Sequence, residues 1–399
     1  MVTRRRDGAI RSTEVIGESL SSHDNSLNFL RVVLASTVLL SHAASIGGFG
    51  SWAGLVNGSS AAQIALYGFF GISGYLIAQS AIRSTPGRYL WKRVLRIFPA
   101  LIICLLVTAF VFGIVAWLHD TAHHCGLSCY FNAPDGPVTY VVKNALLSNP
   151  FWTQHTIAGI PTDYLANWNA SIWTLFFEFA CDLVVLFLGI IGFLRHRVLT
   201  LASFLSIWVT MTIVTVTPSL SRHFTFFTHL ALEEMIRFSV LFLTGSVIYL
   251  YRDRIPDSGW LALSSALLYA IAVVFPLWTL GKIPTTEFTP IDIGAPFIVY
   301  PVLWLGIHLP FRRVGAKNDY SYGIYIYGWP IAQLLITWNL MRFGLVSFEF
   351  FAIAATIPFA LASWWIIERP SLKMKSLSFR RSSARHPEGD TRRASEVSE

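Results

Sequence analysis

The feature that most constrains this chain is the recurrence of apolar runs long enough to cross a bilayer. About 20 apolar residues in a helix span the hydrocarbon core. Ten such runs are separated by polar breaks, at about residues 27–47, 61–82, 97–118, 170–194, 198–216, 233–251, 258–277, 291–309, 320–338 and 348–367. Charged residues make up only 13% of the chain, against about 25% in ordinary soluble domains. The sequence therefore predicts an all-α polytopic membrane protein with about ten transmembrane helices.

The positions of the basic residues predict the orientation of these spans. When ten spans are counted, 24 of the 30 Lys and Arg residues fall on the side of the N-terminus. Cytoplasmic loops of membrane proteins carry such an excess, so both termini are expected in the cytoplasm. The net charge of +8 would then face the anionic inner leaflet of a cell membrane, and no nucleic-acid partner is expected.

Residues 27–369 form one predicted membrane domain between two polar, Ser-rich tails, 1–26 and 370–399, which are expected to be disordered cytoplasmic segments. The one large outer loop, about 119–169, contains several potential metal ligands: His119, His123, His124, Cys125 and Cys129. Their spacing fits no zinc pattern, so no metal is expected. A disulfide between the two cysteines is favoured, with free thiols as the alternative.

The first apolar run contains two ionisable residues, Arg31 and His42, which are costly in hydrocarbon and usually face a polar interior. Eleven residues at 100° each are three turns plus about 20°, so both project from one face, about 16 Å apart along the axis. This spacing favours a polar pathway between them. The alternative is that Arg31 snorkels to the headgroups and His42 approaches the outer interface.

Two further pairs of charged residues share a helix face. Arg93 and Arg96, at positions i and i+3 in a basic turn before the third span, are either topology determinants or a phosphate clamp. Glu178 and Asp182, at i and i+4 in the fourth span, must pair or stay protonated, and structural bridging is one interpretation. The estimated depth of Glu178 is close to that of His42, which predicts a contact between them.

Small residues in the second span indicate close helix packing, because they let backbones approach in lipid. Three glycines recur at steps of three: Gly68, Gly71 and Gly74. Farther along the chain, Glu233 and Glu234 can pair with Arg237 within one helix, which requires no functional interpretation.

Six motifs occur in a fixed order: Arg31-x10-His42, Phe69-Phe-Gly-Ile-Ser-Gly74, Arg93-x-x-Arg96, Trp173-Thr-Leu-Phe-Phe-Glu178, Asp319-Tyr-Ser-Tyr-Gly-Ile-Tyr325 and Glu368-Arg-Pro370. Together they resemble acyltransferase family 3, whose members are bacterial integral-membrane O-acyltransferases that modify O-antigen, exopolysaccharide and nodulation factors. The resemblance covers about residues 24–370. Many members have His where this chain has Gly328, which limits the predicted role of that segment to packing, with Asp319 or Asn318 capping the helix.

The resemblance implies a donor, an acceptor and roles for the charged residues. Acyl-CoA, above all acetyl-CoA, would be a co-substrate from the cytoplasm, with no bound cofactor, and the acceptor would be a hydroxyl of a glycan or lipid-linked sugar. Arg31, Arg93 and Arg96 would hold the donor phosphates. His42 would act as general base with Glu178 setting its tautomer, although an acyl-histidine intermediate is an alternative.

Supporting roles in this site are predicted for three more residues: Ser73, Asp182 and Tyr325.

Two other classes of protein also bury charges in the membrane. A transporter or flippase of lipid-linked sugars would do so, but the sequence shows no internal repeat and has basic residues at only one mouth. A purely structural membrane protein would not need Arg31, His42 and Glu178 on converging faces.

Overall fold

The computed structural model describes residues 15–21, 25–50, 60–119, 126–147, 157, 167–216, 226–274, 290–315 and 318–376. Helices account for nearly all regular structure in these ranges, and an isolated β-bridge joins Val15 to Pro256. The predicted all-α class is therefore confirmed. Each of the ten predicted apolar runs overlaps a helix of the structure.

The helices that the structure describes are α1 (Ile16–Ser21), α2 (Leu27–Ile46), α3 (Ala61–Arg83), α4 (Pro86–Val107), α5 (Gly113–His119), α6 (Leu127–Asn132), α7 (Pro137–Ala145), α8 (Trp173–Ile190), α9 (Arg197–Val216), α10 (Phe226–Leu250), α11 (Gly259–Val274), α12 (Pro290–Gly294), α13 (Pro296–His308), α14 (Ser321–Thr337), α15 (Leu345–Ala362) and α16 (Arg369–Lys373). Several are joined through short 3₁₀ or π segments, so that adjacent helices form one continuous rod.

Five helical rods are long and apolar enough to cross a membrane: Leu27–Ile46, Ala61–Arg83, Pro86–His119, Ala170–Ile190 and Leu345–Lys373. Shorter apolar helices, including α11 and α13, cover other predicted runs. These features identify a membrane protein. The number of ten spans and the cytoplasmic placement of both termini stay predictions.

The third rod is longer than the sequence predicts, because the basic segment before it is helical. Pro86 occupies the first turn of α4, where its missing N–H costs nothing, and no break follows before residue 107. The rod then passes through a π-helical segment, Thr108–Phe112, into α5. The Tyr130 hydroxyl donates a hydrogen bond of 2.5 Å to the carbonyl oxygen of Ala109 in this segment, which satisfies a group that a π segment can leave without a partner.

The predicted close packing of the second span is confirmed where α3 meets α10. A Cβ atom added to Gly74 would lie 2.0 Å from the carbonyl oxygen of Phe242, and one added to Gly245 would lie 2.1 Å from that of Gly71. The two backbones therefore touch, which only glycine permits at these positions. Gly328 likewise packs against Leu39 of α2, where an added Cβ would lie 2.9 Å from the leucine side chain.

Parts of both predicted disordered tails are helical. In α1, Ile16 is fully buried, and the Ser19 hydroxyl donates to the Asp257 carboxylate at 2.7 Å. Residues 370–376 continue the last rod and pack beneath α4. Apolar and hydrogen-bonding side chains tie down these two pieces, and the disorder expected of the tails stays a prediction. Residues 1–14 and 377–399 lie outside the described residues.

The outer loop can be compared with its prediction only in part. Cys129 is disulfide-bonded, whereas Cys125, His123 and His124 lie outside the described residues. Cys104 and Cys181 are buried free thiols. Within the ranges given above, no group of three His, Cys, Asp or Glu side chains is arranged to hold a metal ion.

Candidate active site

A cavity between α2, α3, α4, α8 and α14 brings together most of the predicted site residues. Together with its open mouth it occupies about 550 Å³. Its polar lining includes five residues singled out in the sequence: Arg31, Ser73, Arg96, Glu178 and Tyr325. Apolar side chains such as Leu66, Phe69 and Phe70 complete the walls. A polar floor inside apolar walls is typical of a site that orients a bound molecule.

The two arginines of the cavity are joined by the carboxylate of Asp319, which the sequence analysis interpreted as a helix cap. Its Oδ2 lies 2.5 Å from Arg31 Nη1 and 2.7 Å from Arg96 Nη2. Glu368 adds a second carboxylate, with Oε2 lying 3.5 Å from Arg96 Nη1. The three helices α2, α4 and α14 and the end of the last rod therefore meet at one ionic cluster. Asp319 and Glu368 belong to two of the sequence motifs given above, but no charge pattern in the sequence predicts their pairing with Arg31 and Arg96.

Asp319 also caps α14, as the sequence predicts. Its Oδ1 accepts hydrogen bonds from the backbone N–H of Ser321 at 3.2 Å and from the Ser321 hydroxyl at 2.5 Å. Burial by itself raises the pKa of the Asp319 carboxyl. The guanidiniums of Arg31 and Arg96 and the bonds from Ser321 outweigh that effect and hold the pKa below its ordinary value. Asp319 is therefore a fixed anion that orients both arginines.

Glu178 lies on α8 and contributes an accessible carboxylate to the same cavity. It is close enough to Arg31 and Arg96 to interact with both electrostatically. Within the described part of the chain, its side chain makes no hydrogen bond or ion pair. The carboxylate of Glu178 is thus the acidic group of the cavity that stays available to a bound molecule.

His42 lies apart from this cluster, on the α2 face that faces α14. Its ring packs edge-on against Trp329, with centroids 4.9 Å apart. The Trp329 indole N–H in turn donates to the carbonyl oxygen of Asn167 at 3.0 Å, so the segment before α8 is held near this end of α2. Among the described residues, no hydrogen bond or ion pair joins His42 to Glu178. The structure therefore places Glu178 beside the arginines and does not bring it to the histidine.

The three predicted supporting residues have different surroundings. The Tyr325 hydroxyl donates to the carbonyl oxygen of Ser171 at 2.8 Å and also bonds the Thr174 hydroxyl, which holds the start of α8 against α14. Ser73 lines the cavity. Asp182 does not line it: its carboxyl is buried without a hydrogen-bond partner in the described structure, in the electrostatic neighbourhood of Arg93.

The three predicted donor-binding arginines fall into two groups. Arg31 and Arg96 are already bound to carboxylates, as described above. Arg93, one turn nearer the start of α4, has no carboxylate partner among the residues described, and its Nε is buried without a hydrogen bond. Its guanidinium lies 6.0 Å from the ring centroid of Tyr89. Arg93 is therefore the arginine with free capacity for an anion.

A second buried polar cluster joins α3, α10 and α12. Arg237 pairs with Glu234 within α10, as the sequence predicts, but its Nε also lies 2.8 Å from Asp292 Oδ1. The Tyr67 hydroxyl bonds Asp292, and the Gln63 side-chain amide donates to that hydroxyl at 2.7 Å. The cluster therefore connects three helices instead of remaining within one, and it lies outside the lining of the cavity.

Comparisons with known proteins agree with this architecture. The family model described as "Acyltransferase domain", the acyltransferase 3 model, matches residues 24–365. An O-acetyl transferase of Shigella phage Sf6 is 26% identical over 357 residues, which cover 88% of this chain and 97% of the relative. Nodulation protein 10 of Rhizobium leguminosarum bv. viciae is 27% identical over 386 residues, which cover 90% of this chain and 96% of the relative. No solved structure matches the chain significantly.

Proposed function

Since the chain belongs to acyltransferase family 3 and is a membrane O-acyltransferase, we propose that it transfers an acyl group, above all acetyl, from cytoplasmic acyl-CoA to a hydroxyl of a cell-surface glycan or lipid-linked sugar. The observation that carries this proposal is the cavity that holds Arg31, Arg96 and Glu178 inside an apolar helical protein. Burying such groups is costly unless a polar molecule enters. The membrane would be the bacterial cell membrane, with the donor arriving from the cytoplasmic side.

In this proposal the donor enters at the basic start of α4. Arg93, which has no carboxylate partner among the described residues, would bind a phosphate of the coenzyme. Arg31 and Arg96 would act differently from the sequence-based hypothesis, because Asp319 already neutralises part of their charge. They would line the passage of the acyl-pantetheine arm and hold it by polar contacts. The arm would then extend along α2 toward His42, about 16 Å from Arg31 along the helix axis.

The chemical step needs a base for the acceptor hydroxyl, and His42 is the candidate. The hydroxyl oxygen attacks the thioester carbonyl carbon while the imidazole takes its proton. The C–S bond breaks, the ester is formed, and the imidazolium returns the proton to the leaving thiolate. A histidine serves this exchange because its ordinary pKa lies near neutrality.

Glu178 has a role in this proposal that does not require contact with His42. Its carboxylate faces the cavity and has no hydrogen-bond partner among the described side chains. It is therefore placed to accept a hydrogen bond from a bound substrate, or to balance Arg31 and Arg96 when the donor is absent. The role as tautomer-setting partner of His42 has no support from the contacts described above.

The test uses purified protein in detergent, acetyl-CoA and a thiol reagent that detects released coenzyme. We expect the wild type to release thiol slowly without acceptor and faster with a hydroxyl acceptor. His42→Ala should lower the rate by about 10²–10⁴-fold, the usual contribution of a general base. His196→Ala, which removes an exposed histidine between α8 and α9, is the matched control. Wild-type protein that neither binds nor cleaves acetyl-CoA would contradict the proposed donor.

A further inference from the structure

The last helical rod does not end at the Glu-Arg-Pro motif but turns beneath the start of α4. After α15 the chain forms a π-helical segment, Ser363–Glu368, then α16 and a 3₁₀ turn, Met374–Ser376. The Ser363 hydroxyl donates to Glu368 Oε1 at 2.9 Å, while Glu368 Oε2 faces Arg96. The π segment thus directs Glu368 into the protein and sets the course of the residues that follow.

A hydrogen bond fixes the end of this segment against α4. The Trp91 indole N–H donates to the carbonyl oxygen of Met374 at 3.3 Å. The next residue, Lys375, is half-buried, and its electrostatic neighbours are Arg96, Arg93 and Lys92 of α4, with Asp319 contributing less. The C-terminal segment therefore adds a further cation to the basic start of α4, which carries Arg88, Lys92, Arg93 and Arg96.

Three of these cations, Lys375, Arg93 and Lys92, form no ion pair with a carboxylate in the described structure, whereas Arg96 is paired. Lys92 donates to the Ser84 hydroxyl at 2.8 Å. Asp319 pairs with Arg31 and Arg96, and Glu368 pairs with Arg96. Asp182 is an electrostatic neighbour of Arg93 but forms no ion pair with it in the described structure. Burial and the neighbouring cations lower the pKa of Lys375 to about 8. A partly buried cluster of like charges is unfavourable by itself, so it is stabilised when a multiply charged anion binds.

We propose that Lys375 is a donor-binding residue, which together with Arg93 and Lys92 clamps the phosphate groups of the donor's nucleotide portion. This inference rests on the proposed function, since it assumes a coenzyme A thioester as donor. The cluster adjoins Arg96, a wall of the cavity, so a nucleotide held there can direct its pantetheine arm into the site. Several converging cations also suit the multiple phosphate charges of this donor better than the single charge of a lipid headgroup.

The test compares two donors, acetyl-CoA and S-acetylpantetheine, which lacks phosphate groups. Lys375→Ala should raise the KM for acetyl-CoA by about tenfold, the size of one charge-assisted contact at a half-exposed site. The same variant should leave the KM for S-acetylpantetheine unchanged, and Lys375→Arg should restore the acetyl-CoA value because it keeps the charge. Lys373→Ala, an exposed lysine two residues earlier, is the matched control and should behave like the wild type.

Three results would overturn the inference and leave the proposed function intact. An unchanged KM in Lys375→Ala would remove Lys375 from donor binding. An equal rise in KM for acetyl-CoA and for S-acetylpantetheine would show that Lys375 supports only the fold. A loss that appears only in nanodiscs containing anionic lipid would assign the cluster to lipid headgroups. Wild-type protein that binds no acetyl-CoA would instead overturn the proposed function and this inference with it.

Discussion

Arg31 and Asp319, which are 288 residues apart in the chain, form an ion pair with a 2.5 Å distance between Nη1 and Oδ2. Arg96 binds the same carboxylate oxygen at 2.7 Å. One carboxylate therefore holds two guanidiniums on two different helices at the floor of the cavity. Because both arginines are fixed before any substrate binds, the passage they line is preorganised, which reduces the cost of positioning a donor.

The first prediction concerns the stability of this ion pair. Asp319→Asn should lower the free energy of unfolding by about 3–5 kcal/mol, because it leaves two largely buried guanidiniums without their shared anion. Asp253→Asn is the control: its carboxylate is 53% exposed and pairs with Arg197 at the surface, so its loss should cost at most about 1 kcal/mol. Thermal unfolding in detergent measures both. Equal thermal unfolding midpoints for the two variants would mean that the charge of Asp319 does not stabilise the fold.

The second prediction separates His42 from Glu178. Glu178→Gln should lower acyl transfer less than His42→Ala, because it removes a charge in the cavity and leaves the base in place. Since no hydrogen bond joins the two residues within the described structure, the losses in the double variant should multiply. Rates of all variants at matched expression provide the test. A double variant no slower than His42→Ala would show that the two residues act as one unit.

The third prediction is a pH dependence that arises from Lys375. If Lys375 binds donor phosphates as proposed, it does so in its protonated form. Its pKa is lowered to about 8, so the KM for acetyl-CoA should rise as the pH increases through that value. The charged groups that face it are Arg93, Arg96, Lys92 and Asp319, and Glu368 faces it from behind Arg96, with which it pairs. Lys375→Arg should flatten the profile, because arginine stays protonated. Parallel profiles of KM against pH for the two proteins would contradict this prediction.

The fourth prediction tests the backbone contact between α3 and α10. Gly74→Ala places a Cβ about 2.0 Å from the Phe242 carbonyl oxygen, so the helices must separate, at a cost of at least about 1–3 kcal/mol. Gly87→Ala is the control, because an added Cβ there meets nothing within 4 Å. Ala also favours a helix more than Gly does. Gly74→Ala should lower the thermal unfolding midpoint and broaden the size-exclusion peak, whereas Gly87→Ala should leave both unchanged.

The fifth prediction concerns topology, which rests on the distribution of Lys and Arg. A cysteine at position 135, an exposed site between α6 and α7, should react with a membrane-impermeant reagent in intact cells. A cysteine at position 373 should react only after lysis. The reverse pattern would invert the orientation and place the basic start of α4 outside the cytoplasm.

The sequence by itself determined the helices and several of their local contacts. Apolar runs and the glycines at 71 and 74 depend on residues close together in the chain. The structure has a helix over each run and a close backbone contact at these glycines. The helix cap made by Asp319 is equally local, since it involves residues only two apart.

Only the tertiary structure decided which charges meet. The partners of Arg31, Arg96 and Lys375 come from segments more than 200 residues away, and helical periodicity specifies a face without specifying the neighbour opposite it. The same limit explains why the expected contact between His42 and Glu178 is not found. Estimated depths along two helices cannot determine whether their side chains turn toward each other, because helix rotation and tilt are set by packing against all neighbours.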